Sequence, residues 1–179
     1  MRATFNWYLQ SLQSRPLVTA SVSSFVVQSL GDLLGQSLEN CRAVLDQKRV
    51  LIQASFGAFY SAPTLHCWLS WLGKRVPGRD FTSVIKKALI HQSLFGPFMI
   101  GSYLFIIATV NEGSARRGLV VLKERLLHTV VVGFGVWTSF QLVNFWLVPL
   151  CFQIVYLNFV NVFWGAYMSY IRGTTPKHN

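Results

Sequence analysis

Hydrophobic positions in this chain fall into long blocks separated by short basic connections. The longest block runs from Leu126 to Ile171, forty-six residues without Lys, Arg, Asp or Glu, between Arg125 and Arg172. A soluble core helix does not normally extend that far without a charged outer face. A bilayer core about 30 Å thick is crossed by about 20 apolar residues rising ~1.5 Å each, so this block suffices for two crossings. Pro149 divides it, with twenty-three residues before and twenty-two after. Proline lacks an amide hydrogen and clashes with the preceding turn, so it ends or kinks a helix. The pattern predicts a broken pair of membrane helices over 126–148 and 150–171, or one sharply kinked unit. Three apolar segments precede it: 17–36, opened by Pro16 at a favourable first-turn position; 50–72, interrupted by Pro63; and 88–110, interrupted by Gly96-Pro97. Phe5, Tyr8, Leu9 and Leu12 recur at helical spacing and predict a short amphipathic helix over 3–13. The basic stretch 111–125 predicts another such element, lying along the headgroups with Leu119, Val120 and Leu122 inward. The expected fold class is all-α: a polytopic membrane helix bundle of four to five apolar segments, some proline-kinked, plus short amphipathic interfacial helices. It is expected to form one integral membrane domain over 1–179.

Polar residues inside the apolar segments narrow the picture. Gln141 and Asn144 are three apart and share a helix face; Asn158 and Asn161 repeat the spacing, and Gln153 precedes them by five. Amides in hydrocarbon cost free energy unless they find partners, so they face other helices or a wet cavity. Hydrogen bonding between helices is the commoner role; pore lining is the other. Asp32 is the one acid within an apolar segment, on a face shared with Gln28 and Gln36. An intramembrane acid is a functional candidate; a place near the interface, or a pairing with a basic loop residue, is the alternative. His66, three residues beyond Pro63, either lines a pore and titrates near neutral pH or binds a backbone carbonyl as a neutral ring. Gly31 and Gly35 form a Gly-x-x-x-Gly pair, and Ala20 and Ser24 a looser small-residue pair, which let helices approach closely.

Composition supports a membrane reading. The chain is 52% hydrophobic and 12% charged, against about 25% charged in soluble chains. Its net charge of +10 would suggest nucleic acid in a soluble protein, but the basic residues form no single run and no nucleic-acid motif is present. Basic loops of a membrane protein explain the charge better. Cys41, Cys67 and Cys151 fit no metal or redox spacing. The first residues form no ordinary secretory signal, and their lack of acids before Asp32 is compatible with organelle import. Basic residues divide evenly between the two sides of a four-crossing topology, so the positive-inside rule assigns no orientation. No nucleophile elbow, phosphate loop or zinc-binding helix motif is present, and five of the six acids lie in connections. The sequence therefore predicts no catalytic residues, no cofactor, no metal site and no enzyme activity.

The segment from Trp137 onward resembles the C-terminal signature of the Mpv-type family, named for the twenty-two-kilodalton peroxisomal membrane protein. Trp137, Gln141, Asn144-Phe145, Val148-Pro149, Trp164 and Tyr167-Met168-Ser169 fall where that signature has its Trp, Gln, Asn-Phe, Val-Pro, Trp and Tyr-Leu-Ser. Weaker matches extend toward the N-terminus: Trp7-Tyr8-Leu9, Pro16, Thr19, Gly31-Asp32, Gln36, Asp46 with Arg49, Gly57, Pro63, His66, Trp68 and Pro77-Gly78. Three positions depart. Thr138 replaces a proline, Gln153 an arginine and His91 an aspartate, and the last two exchanges together suggest a lost ion pair. The resemblance implies a small membrane protein of the inner mitochondrial or peroxisomal membrane. It implies a channel-like pathway for small solutes, linked to mitochondrial DNA maintenance, redox balance or peroxisomal permeability. Asp32, His66, Gln141, Asn144 and Gln153 are the candidates for pore-lining or interhelical polar contacts. Trp137, Phe145, Pro149, Trp164 and Tyr167 are the candidate structural positions. A non-conducting scaffold or assembly factor is the alternative, supported by the Gly-x-x-x-Gly pair and the basic loops. Expected partners are the lipid bilayer, anionic lipid headgroups at the basic loops and further copies of the chain in a homo-oligomer, with no nucleic acid contacted directly.

Overall fold

The computed structural model describes residues 8, 10–12, 14–39 and 45–174, with side chains described to residue 164 except at 151. Every regular element among them is helical: α1 (Pro16–Glu39), α2 (Gln47–Ser55), a π-helical turn (Phe56–Ser61), α3 (Ala62–Arg75), α4 (Phe81–Ile90), a second π-helical turn (His91–Phe95), α5 (Gly96–Glu112), α6 (Ala115–Leu147), a 3-10 turn (Leu150–Phe152) and α7 (Gln153–Thr174). Of the helix expected over 3–13, Tyr8 and residues 10–12 are helical and the rest lies outside the described residues, as do residues 40–44 of the 37–49 connection, Cys41 among them.

Three of the helical stretches are long and apolar enough to cross a membrane: Pro16–Ser37, Phe81–Glu112 and Ala115–Leu147. Two expected boundaries move. The apolar segment expected over 88–110 starts at Phe81, because Asp80 caps it by accepting from the Ser83 amide at 3.0 Å. Hydrogen bonds from Ser83 also hold the Asp80 carboxyl below its ordinary range. The basic stretch 111–125 is not a separate surface element. A turn at Gly113, in the left-handed region at φ 65°, ends α5, and residues 115–125 are the first turns of the unbroken α6. Leu119 and Val120 are exposed, and Gly118 is the residue turned inward.

Both internal prolines follow a π-helical turn. The Ala62 amide, just before Pro63, bonds back five residues to the Gly57 carbonyl; the Gly96 amide, just before Pro97, bonds to the His91 carbonyl. The wider turn carries the helix past a residue that has no amide and crowds the carbonyl four positions back. Neither helix breaks. At Pro149 the chain does break: Val148 is extended (φ −92°, ψ 124°), as a residue before proline prefers, and α6 stops.

The helices pack as two compact units, Met1–His66 with Ile154–Asn179, and Cys67–Gln153. In the first, Gly31 of α1 faces the Val162 backbone of α7, and Gly57 sits against Ser24 and Gln28 of α1. Asn158 donates to Ser24 Oγ at 2.8 Å. In the second, α5 and α6 run antiparallel, with Gly118 against Phe105 and Thr109, and Gly101 against Leu122 and Leu126. Ser24, Asp32, Gln141, Asn144 and Asn158 are buried, while Val18, Val22, Phe134 and Leu147 are exposed. Polar side chains inside and apolar ones outside is the arrangement hydrocarbon surroundings demand.

Candidate functional site

The second unit holds a chain of buried polar side chains. Helix α6 presents Gln141 and Asn144, one turn apart, at 2% and 0% exposure. The π-helical turn presents His91, α3 presents Trp68, and Gln153 opens α7 just past the Pro149 break. Trp68 Nε1 lies 3.0 Å from His91 Nδ1, the Gln141 amide 2.9 Å from His91 Nε2, and the Asn144 amide 3.2 Å from that of Gln141. Gln153 Nε2 donates to the carbonyls of Asn144 (3.4 Å) and Val148 (3.3 Å).

The chemistry of these groups fixes a direction. An indole N–H only donates, so His91 Nδ1 accepts from Trp68. The neutral ring then carries its proton on Nε2 and must donate to Gln141. Gln141 therefore turns its oxygen to His91 and its nitrogen to Asn144, whose Oδ1 accepts. In either orientation one polar group of the Asn144 amide has no partner among the described residues, so the histidine tautomer alone sets the direction. The bonds then run one way, from Trp68 through His91 and Gln141 to Asn144. Gln153 Oε1, also buried, has no partner among the described residues. Aromatic rings wall the imidazole: Phe95 at 5.0 Å between centroids and Phe145 edge-on at 5.9 Å, with Trp68 stacked on Phe95.

Gln153 offers a physical reading of one departure from the family signature. The last carbonyls of a helix lack intrahelical donors, and a basic side chain can supply them. Gln153 donates to two carbonyls at the end of α6, those of Asn144 and Val148, without a charge. His91 is likewise held by neutral partners, so the described contacts of these two positions need no ion pair.

Asp32 belongs to a different set, in the first unit. Its Oδ1 accepts from Arg49 Nε at 2.9 Å and its Oδ2 from Gln36 Nε2 at 2.8 Å. Gln36 also accepts from the Asp46 amide at 2.7 Å and donates to the Asp46 carbonyl, while Asp46 caps α2. Together these bonds clamp the end of α1 to the start of α2. His66 is half-buried in α3 and joins neither network.

The sequence candidates thus separate. Gln141, Asn144 and Gln153 come together; Asp32 and His66 do not join them. Phe145 contacts the cluster, Pro149 ends the helix that carries it, and Trp137 lies beside Phe140 on α6. Trp164 and Tyr167 lie on α7, the Tyr167 side chain outside the described residues. Sequence reasoning missed His91 and Trp68 as members. The available signal was a histidine inside an apolar segment just before Gly96-Pro97, the same signal that singled out His66. Among the described residues no group of three His, Cys, Asp or Glu could hold a metal ion.

Residues 108–169 match the profile of the Mpv17 / PMP22 family. Along almost its whole length the chain is similar to PXMP2/4 family protein 2 of Dictyostelium discoideum, 34% identical, covering 99% of this chain and 95% of that one. It is 30% identical to Protein SYM1 of Gibberella zeae, covering 96% and 99%. It is 28% identical to the mitochondrial inner membrane protein Mpv17 of Bos taurus, covering 94% and 97%. No solved structure matches the chain.

Proposed function

This chain belongs to the Mpv17 / PMP22 family, and from that premise we propose that it forms or gates a channel-like pathway for small solutes in an organelle membrane. The mitochondrial inner membrane is the first choice and the peroxisomal membrane the second, following the names of its relatives. The observation that carries the reading is the polar chain through Trp68, His91, Gln141 and Asn144, with the unsatisfied Gln153 Oε1 beside it. A purely structural set of membrane amides closes on itself, because each open group in hydrocarbon costs free energy. This one ends on an open acceptor at the break between two helices, where a polar solute or water in passage would meet it. Gln141 and Asn144 are buried, so on this reading passage of a solute requires the chain of bonds to part.

Reconstituted liposomes loaded with sized neutral and charged solutes test this. Size-limited release, altered by Asn144→Leu and Gln153→Leu but not by Asp32→Asn beyond its effect on folded yield, supports a pathway at the cluster. Folded, inserted protein that releases nothing at any voltage or pH counts against it. That outcome favours a second reading, a non-conducting scaffold. The Asp32–Arg49–Gln36–Asp46 clamp, with its carboxylate oxygens both engaged, supports that reading, as does the close approach of Gly31 to Val162.

A further inference from the structure

Helices α5 and α6 are neighbours whose uncharged stretches are out of step. On α5 and the turns before it, no Lys, Arg, Asp or Glu occurs from 88 to 111; on α6 the uncharged stretch begins only at 126. The contacts fix the antiparallel register: Phe105 lies at Gly118, and Gly101 at Leu122 and Leu126. The last apolar turns of α5 therefore stand beside the charged turns of α6. At ~1.5 Å per residue the offset is about 16 Å. No flat boundary between hydrocarbon and water suits both helices at that end.

At this level the two helices leave a shallow, widely open groove of about 430 Å³. Phe98, Gly101 and Phe105 form one wall, and Leu119, Leu122 and Leu126 the other. Cations flank it. Arg116 lies one turn before Leu119, Lys123 one turn after it, and Arg125 one turn after Leu122, so all three neighbour the leucine row. They are exposed, and no acid pairs with them among the described residues. Glu112 is taken by Arg117 at 3.6 Å, and helical spacing puts Glu124 on the face away from the groove.

We propose that this groove binds one anionic phospholipid, an acyl chain lying along the leucine row and the phosphate held on one side of it by Arg116 and Lys123. A chain in the groove covers apolar surface that otherwise faces the headgroup layer, and the phosphate neutralises cations that otherwise face apolar surroundings. One amphiphile corrects both halves of the mismatch, which neither a neutral lipid nor a soluble anion does.

The test is lipid retention, read by native mass spectrometry, after purification from vesicles of phosphatidylcholine and phosphatidylglycerol at 3:1. Wild type is expected to keep phosphatidylglycerol well above its share. Arg116→Gln and Lys123→Gln each lower that enrichment roughly five-fold, as follows from about 1 kcal/mol per cation near an anionic surface. Gly101→Leu fills the groove and removes the bound lipid altogether. The charge variants lie on an exposed face, so they keep the test decisive if Gly101→Leu fails to fold. Equal retention of the two lipids, or enrichment unchanged in the charge variants, overturns the proposal. So does efficient disulfide pairing of Ser102→Cys between two chains in a cysteine-free background, which makes the groove a contact between copies.

Discussion

His66 and His91 are both histidines on apolar segments near a proline, and the structure gives them different surroundings. His91 has a partner on each nitrogen, and one partner can only donate. Its neutral ring should therefore show a protonated Nε2 and a bare Nδ1 in nitrogen-15 solid-state spectra, a pattern that Trp68→Phe should disturb. A bare Nε2 would reverse the bond direction argued for the cluster. His91→Leu leaves the Trp68 N–H and the Gln141 oxygen without partners, and each should cost about 1–3 kcal/mol in unfolding from mixed micelles. Glycines divide in the same local way. An added Cβ at Gly118 would lie 2.9 Å from the Phe105 carbonyl oxygen and closer still to Thr109, whereas at Gly101 the nearest atoms are leucine methyls at 3.5 and 3.6 Å. Gly118→Ala should destabilise by about 1–3 kcal/mol, and Gly101→Ala by less than about 0.5. What each glycine faces on the neighbouring helix distinguishes the two.

At the scale of elements, the ends and interruptions of helices follow chain chemistry closely. Pro149 stops α6 because the loss of an amide and the restriction on Val148 are local properties. Pro63 and Pro97 do not stop theirs, because a π-helical turn precedes each. Thr138, where the family signature has proline, donates to the Phe134 carbonyl and leaves α6 continuous. The clamp between α1 and α2 makes a second test at this scale. Asp32→Asn and Arg49→Gln should each destabilise the first unit. Because the pair is in direct contact at 2.9 Å, the double variant should reveal a coupling on the order of 1–3 kcal/mol. Additive effects would mean that the contact contributes nothing beyond each residue's own packing. The extent of α6 was not legible in this way. Residues 111–125 have the composition of a surface helix, yet from Ala115 they continue into α6, with Gly118 packed against α5.

Across the whole molecule, the outward faces of the three membrane-length helices are apolar and the buried positions include amides, an acid and a histidine. An arginine on an outward face should oppose insertion. Val26→Arg, at a position 51% exposed on α1, should cost about 2.5–3.5 kcal/mol of insertion free energy and enlarge the carbonate-extractable fraction. Unchanged extraction would mean that this face does not meet lipid. Membrane character, all-α class, an interruption at Pro149 and the family resemblance were settled by the chain itself; that the interruption is a break rather than a kink was not. They rest on uncharged length, on the covalent chemistry of proline and on a specific order of residues, none of which needs a partner. The tertiary structure decided what each polar residue is for. Gln141 meets His91 across fifty positions and Asp32 meets Arg49 across seventeen. A hydrogen bond is a relation between two groups, and periodicity along one helix gives the face on which a residue stands but not what stands opposite.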